Sequence, residues 1–484
     1  MLLVCLLASV CEYRMSKTLI PSNGLFQDVP ASPSPSIPLS VPAQEGSRLA
    51  YGLAVVLTFV VFARPEDIFP PIGALHLTLV LSVCAPLACV VALAMGSARL
   101  QRPRELIIVL LLTIWFAIGV PFAFWHGGSF EVLTQTWLRT LLFFLVLTQT
   151  LTSVGRIRKI LWVFLISELI ATTASLLTPG GQALGDEDRL AGVSAGIFGW
   201  NFLGIALSIS LPYMAALYIS RRSMLRSGLL LATAATSMWM LVLVASRGGF
   251  LNVIVSIILS SFLILRGTKR ARFIGLVFVL GFAIMIGRAP GVFWDRIGTI
   301  WGAAGSTSNR NTASAKESTD GREQLLQNSI KYTFQNPMFG VGLGNFSVYN
   351  GQMLHRSDAW YGTHNTYTQA SSEAGIPALL LFLFLLLTMI SHAKKAAAVF
   401  ARDPADEELR LIAMATLVAG LSAIFGIFFM HILYSFLLYY LAAISGGLWA
   451  IARQTTVVEA KVVPAARIDA EPLPVRWIPE WRLR

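Results

Sequence analysis

The stretch GLLLATAATSMWMLVLVASRGGFLNVIVSIILSSFLIL, residues 228–265, carries one charged side chain, Arg247, in its whole length. Two apolar runs, 228–245 and 249–265, flank the turn Ser246-Arg247-Gly248-Gly249. An α-helix rises 1.5 Å per residue, so roughly 20 apolar residues cross the ~30 Å hydrocarbon core of a bilayer. Two such runs around so short a turn predict a helical hairpin inside a membrane. Working outward, ten further windows of this kind occur: 48–63, 74–95, 105–125, 133–152, 159–178, 196–219, 273–288, 376–392, 410–430 and 433–452. The expected fold is all-α, a polytopic membrane protein of about twelve helices. Composition agrees: 55% of the 484 residues are hydrophobic and 13% charged, and the mean hydropathy is +0.68. A soluble chain of this length carries about twice that charge density, and a disordered one is far more polar.

Charge orients the expected bundle. The loops after spans 2, 4, 6, 8 and 10 hold 17 basic residues: Arg99, Arg102 and Arg104; Arg156, Arg158 and Lys159; Arg221, Arg222 and Arg226; Arg266, Lys269, Arg270 and Arg272; Lys394, Lys395, Arg402 and Arg410. The short loops on the other side hold three, Arg64, Arg189 and Arg247. Basic residues stay on the cytoplasmic side of a span, so both termini are expected in the cytoplasm and the longest connection, 289–375, outside. The net charge of +12 is thereby accounted for by membrane topology, and no nucleic-acid partner is expected. The resulting plan has a disordered tail at 1–47, spans 1–9 within 48–288, a periplasmic loop at 289–375, spans 10–12 within 376–452 and a cytoplasmic tail at 453–484 without helical period. Cys5, Cys11, Cys84 and Cys89 lie in apolar segments and imply no disulfide framework.

An 87-residue connection among short ones points to function. Gly302 to Lys316 is rich in Ser, Thr, Asn and Gly and reads as mobile. Asp320-Gly-Arg322-Glu323 then reads as a capping box, with Arg322 in the first turn of an amphipathic helix. Leu326, Ile330 and Phe334 would form its apolar stripe against the outer membrane face, and the helix should stop at Asn336 before Pro337. Gly340-Val-Gly342-Leu-Gly344-Asn345 is open to two readings, a phosphate-binding loop or a sharp turn after a helix; no strand precedes it. His364-Asn365-Thr366-Tyr367 follows, then Glu373-Ala-Gly375-Ile-Pro377 at the start of span 10, where Pro377 suits a first helical turn. If 364–373 were one helix, Glu373 would face away from His364 and could not orient it. His126, His355, His392 and His431 show no ligand spacing, and neither a metal site nor a cofactor is expected.

In order and spacing these pieces resemble the O-antigen ligase/O-antigen polymerase family of bacterial membrane proteins. The matching stretches are Arg189-Leu-Ala-Gly192 with Phe198-Gly-Trp-Asn201, Ser246-Arg-Gly-Gly249, Gly321-Arg322, Asn336 through Phe346, and His364-Asn-Thr-Tyr367 with Glu373-Ala-Gly375. Trp200 departs from the family, which more often has Pro before the Asn. The resemblance covers residues 185–450 well. It implies a metal-independent, inverting glycosyltransferase of the GT-C type in the bacterial inner membrane, moving a glycan from undecaprenyl diphosphate to an acceptor hydroxyl at the periplasmic face. For a ligase the acceptor is lipid A-core; for a polymerase of O-antigen or exopolysaccharide it is the next lipid-linked repeat unit.

The chemistry suits the residues. A diphosphate leaving group gains negative charge as the glycosidic bond breaks, and a guanidinium grips phosphate oxygens with a planar fork. Arg247 and Arg322 are the candidates for that role. A neutral imidazole is a suitable base for the acceptor hydroxyl, and His364 is the candidate. Asn201, Arg189, Asn365, Tyr367 and Arg139 are the candidate substrate-binding residues. Three of them have a plainer alternative: Arg189 can pair with Asp186, Glu187 or Asp188, Asn201 can satisfy a helix start, and Arg139, like Glu168, reads as a buried, paired intramembrane charge. A transporter or flippase is the competing class. It would show repeat symmetry and ionisable groups at the midplane, whereas the polar motifs here gather at the outer edge.

Overall fold

The computed structural model describes residues 47–177, 202–220, 223–265, 269–298, 310–355 and 361–468. Among these the regular structure is helical throughout. Arg189, Trp200 and Asn201 lie outside the described residues, as do the N-terminal tail before Ser47, most of Gly302–Lys316, and Trp477 and Trp481.

The helices that build the bundle are α1 (Arg48–Ala63), α2 (Leu77–Ala94), α3 (Arg104–Gly119), α4 (Leu138–Thr150), α5 (Val154–Leu177), α6 (Phe202–Ser220), α7 (Met224–Val244), α8 (Arg247–Leu263) and α9 (Lys269–Gly287). After them come α10 (Gly291–Gly298), α11 (Arg310–Gln335), α12 (Phe346–Met353), α13 (Thr366–Phe400), α14 (Glu407–Gly426) and α15 (Phe436–Ile468). Each apolar window read from the sequence overlaps a helix within its described residues. Nine helical stretches among the described residues are long and apolar enough to cross a membrane, and α1 and α8 are shorter apolar helices.

The hairpin at residues 228–265 forms as its sequence dictates. Ala245 ends α7 in the left-handed conformation, φ 50°, and its N–H donates back to the Leu241 and Val242 carbonyls. Ser246 then caps α8, its Oγ accepting from Gly249 N at 3.3 Å. Arg247 is therefore the first residue of α8, at the electropositive end of the helix. Gly249 also lets α8 lie backbone to backbone on α6, since a Cβ on Gly204 would collide with Gly249 Cα. Small residues permit such close approach between apolar helices, where dispersion and not the hydrophobic effect holds the pair.

The bundle has two chemically distinct ends. Gln101 and Gln149 exchange hydrogen bonds with each other's segments at 2.8 and 2.9 Å, and Arg158 pairs with Glu408 at 2.6 Å. The basic loops around Arg99, Arg158 and Arg410 thus share one end. Following α3 from Arg104 to Gly119, or α13 back from Phe400 to Thr366, leads to the opposite end, where the long connection folds.

That connection has its own small core of Leu325, Tyr332, Val341 and Phe346, with Tyr349 packed against it. Asn350 Oδ1 accepts from Asn328 Nδ2 at 2.8 Å and from the Tyr332 hydroxyl at 3.1 Å, tying α12 to α11. Two expectations change here. The helix holding Arg322 begins at Arg310, not at Asp320, so Arg322 sits in its interior. Ala, Lys and Glu between 310 and 319 favour helix, and extending an existing helix through Gly321 costs only ~1 kcal/mol. The face of α11 packed against the rest of the protein is Leu325, Ser329, Tyr332 and Thr333, while Ile330 and Phe334 of the expected membrane-facing stripe are 43% and 73% exposed and so lie off that face. The helix ends at Gln335, as Pro337 requires. Finally, α15 runs to Ile468, past the expected start of a tail without helical period at Arg453; each added residue contributes one backbone bond, whereas a new helix would have to nucleate.

Candidate functional site

Four separate segments converge at this end of the bundle. Arg247 opens α8. Arg296 lies on α10, which is held against α8 by an edge-to-face contact between Phe293 and Phe250 at 5.7 Å. Arg322 is on α11. Their guanidinium groups are close enough for each to act electrostatically on the others. Arg296 is 5% exposed, and Arg247 and Arg322 are half-buried. Burial, and then the charge of Arg296, hold the Arg322 guanidinium below its ordinary proton affinity. Three like charges drawn together in this way make a strong electropositive focus.

His364 completes the group. It stands just outside α13 in the left-handed region, φ 49°, a conformation that costs a side-chain-bearing residue energy and that clusters at functional positions. The next residue, Asn365, caps α13, its Oδ1 accepting from Tyr367 N at 2.9 Å and Thr368 N at 3.2 Å. Desolvation lowers the His364 imidazole to about 3, helped by the neighbouring His431 ring and by Arg322. His431 sits on the turn between α14 and α15, its ring centroid 5.0 Å from that of His364 at an interplanar angle of 82°. Its proton affinity is also depressed, by desolvation and by Arg322, although the residue is exposed at the surface.

The structure therefore brings Arg247, Arg322 and His364 together, and adds Arg296 and His431. The sequence offered a weak signal for Arg296, in the register Phe293, Ile297 that turns Arg296 inward, and none for His431, which lies over 60 residues from its partner. Asn365 and Tyr367 shape this end of α13. The cap occupies Asn365 Oδ1, and the Tyr367 hydroxyl donates to the Ile424 carbonyl at 2.7 Å. Arg139 is half-buried and donates to Gln135 one turn back at 2.8 Å. It follows a π-helical turn at Val132–Trp137. Glu168 is fully buried, and among the described residues Ser210 and Ser237 stand beside it where a charged partner is expected. A different buried polar contact forms, a hydrogen bond between His392 Nδ1 and Glu105 Oε1 at 2.7 Å.

The glycine-rich segment after α11 proves to be a turn. Val341 and Gly342 donate to the Ser372 and Glu373 carbonyls at 2.7 and 3.0 Å, and Gly344 N donates to Glu373 Oε2 at 3.1 Å. Gly340, Gly342 and Gly344 all have positive φ. N–H groups already spent on α13 cannot cradle a phosphate. Glu373 also accepts from the Tyr434 hydroxyl at 2.8 Å and from Gln369 Nε2 at 3.4 Å. Its partners are the turn and the α14–α15 loop, and it does not orient His364. The helical face argument holds in outcome but not in premise, since His364 is not part of the helix. The backbone of α13 breaks at Gly375, φ 86° and ψ 171°, freeing Ile376 N to bond the Pro337 carbonyl at 2.7 Å.

Comparison with curated proteins finds no match. Residues 231–383 match the family described as O-Antigen ligase. That stretch begins inside α7 and ends inside α13, so it contains Arg247, Arg296, Arg322 and His364 and stops short of His431. Over that stretch, about a third of its length, the multi-pass membrane protein described above is similar to the O-antigen ligase family.

Proposed function

We propose that this protein is a membrane glycosyltransferase that moves a glycan from a polyprenyl diphosphate, undecaprenyl diphosphate in the bacterial inner membrane, to an acceptor hydroxyl at the periplasmic face. The observation that carries this reading is the convergence of three arginines and a strained histidine from four segments at one end of the bundle. An anionic leaving group anchored in the bilayer would meet those charges at the level of the helix ends. Arg247, Arg296 and Arg322 bind the diphosphate and stabilise the charge it gains as the C–O bond to the anomeric carbon breaks and its electron pair moves to phosphate oxygen. His364 takes the acceptor's hydroxyl proton as the acceptor oxygen forms the new bond. The bound diphosphate itself tunes the base. Its negative charge offsets the arginines and raises the proton affinity of the imidazole above that of the substrate-free site.

Attack by the acceptor opposite the diphosphate inverts the anomeric centre, and the residues named supply each role without a metal. A ligase acceptor such as lipid A-core and a polymerase acceptor such as a second lipid-linked repeat unit use the same base and the same leaving group. The test is transfer from a lipid-diphosphate donor by purified protein. Arg247→Ala, Arg322→Ala and His364→Ala are each expected to lower the rate on the order of 10²-fold or more. Full transfer by well-folded variants overturns the assignment. Envelope glycans from a deletion strain then identify the acceptor: accumulated lipid-linked polymer marks a ligase, accumulated single repeats a polymerase.

A further inference from the structure

We propose that His431 is a positioning residue for His364, its ring packed edge-on to hold the His364 imidazole beside the arginine cluster. The kinetic consequence rests on the transferase reading; the ring contact does not.

Three observations carry the inference. First, among the described residues no hydrogen bond fixes the His364 ring. The residue is outside α13 and in the left-handed region, so a tertiary contact must select its orientation, and the ring that meets it is His431, at 5.0 Å and 82°. That edge-to-face arrangement is a favoured one for flat π-systems. Second, both rings are carried by one frame. The His431 loop is tied to the first turns of α13 by Thr366, whose Oγ1 donates to the Met430 carbonyl at 2.6 Å and accepts from Ile432 N at 3.1 Å. Gln369 Oε1 accepts from Leu433 N at 3.0 Å, and Tyr434 reaches Glu373. These bonds fix the loop against the helix whose N-cap immediately follows His364. Third, the 361–365 segment leaves room for His431. A Cβ on Gly362 would lie 2.7 Å from Nε2, 2.8 Å from Cε1 and 2.9 Å from Cδ2 of that ring, so the absence of a side chain at 362 is what allows the ring its place.

Arg322 acts electrostatically on both imidazoles and is itself within the electrostatic reach of Arg247 and Arg296. Tyr367 and Tyr434, from the adjoining elements, have hydroxyls committed to the Ile424 carbonyl and to Glu373. A proton on His364 is opposed by burial, by His431 and by Arg322, and one on His431 by burial and by Arg322.

The experiment uses the full chain in nanodiscs, as wild type, His431→Ala, His431→Phe and Gly362→Ala. The last variant keeps both imidazoles and displaces only the ring contact. Carbethoxylation of His364 by diethyl pyrocarbonate, followed by peptide mass spectrometry across pH, reports its access and protonation without any need for turnover. His431→Ala and Gly362→Ala are expected to speed labelling of His364 at least about threefold and move its midpoint to higher pH, as removing a like charge and burial does. In glycan transfer, His431→Ala is expected to lower kcat about tenfold with KM within about twofold, while His431→Phe, which keeps a flat ring, stays within about threefold of wild type. Unchanged labelling of His364 in both His431→Ala and Gly362→Ala overturns the proposal, as does His431→Phe failing as badly as His431→Ala. If the wild type transfers nothing from a lipid diphosphate, the transferase reading fails, and the labelling alone decides the pairing.

Discussion

His364 shows how much work one residue can be given by its surroundings. Its ordinary imidazole value is about 6.5, and burial, His431 and Arg322 push it to about 3. The sign of the consequence follows directly. Between these two values the unfolded chain binds the proton and the folded one does not, so stability rises with pH through this window and is lost as pH falls from 6.5 toward 3. His364→Gln is therefore expected to blunt the acid sensitivity of thermal melting in detergent; an identical pH profile would contradict the burial of a neutral ring. For catalysis, the acid limb of kcat/KM, which reports the free protein, is expected well below the ordinary histidine range. The neighbouring cap is separately measurable. Asn365→Ala removes the acceptor of two α13 N–H groups, and is expected to cost about 1 kcal/mol of stability as well as part of the rate, because His364 is the next residue along the chain.

Helices matter at this site chiefly by where they stop. The α7–α8 hairpin was legible because two apolar runs flank the four-residue turn Ser246 to Gly249; the left-handed Ala245 and the Ser246 cap that put Arg247 at the start of α8 came from the structure. The extent of α11 was not legible, because a capping signal at Asp320 competes with the helix-forming residues upstream, and propagation of an existing helix wins. Close approach between elements is testable at two glycines. Gly204→Val would drive a side chain into the α8 backbone, and Gly375→Ala would press a Cβ on the Met338 carbonyl while leaving a strained φ of 86°. Each is expected to lower stability by about 1–3 kcal/mol, read as a fall in Tm of the solubilised protein. A melt unchanged from wild type in either variant would mean that the backbone contact is not closed in the membrane.

At the scale of the whole molecule, the basic loops around Arg99, Arg158 and Arg410 share one end and the site residues the other, which is the separation that the charge bias of the loops demands. The orientation is measured by labelling single cysteines in a cysteine-free background. Lys331→Cys, on the exposed face of α11, is expected to react with a membrane-impermeant maleimide in cells with a permeabilised outer membrane, and Arg99→Cys only after lysis; the reverse pattern would place the site in the cytosol and end the proposed function. The sequence by itself determined the helical membrane class, the windows of the helices, the hairpin at Arg247 and the candidacy of Arg322 and His364. These depend on hydropathy, on caps and on residue chemistry, all of which act within a few residues along the chain. Only the tertiary structure decided that the glycine-rich segment is a turn spent on α13, that Glu373 serves Tyr434 and Gly344, and that Arg296 and His431 join the site. Those outcomes depend on which distant segments are pressed together, and apolar packing chooses neighbours by shape, a property that the order of residues does not display locally.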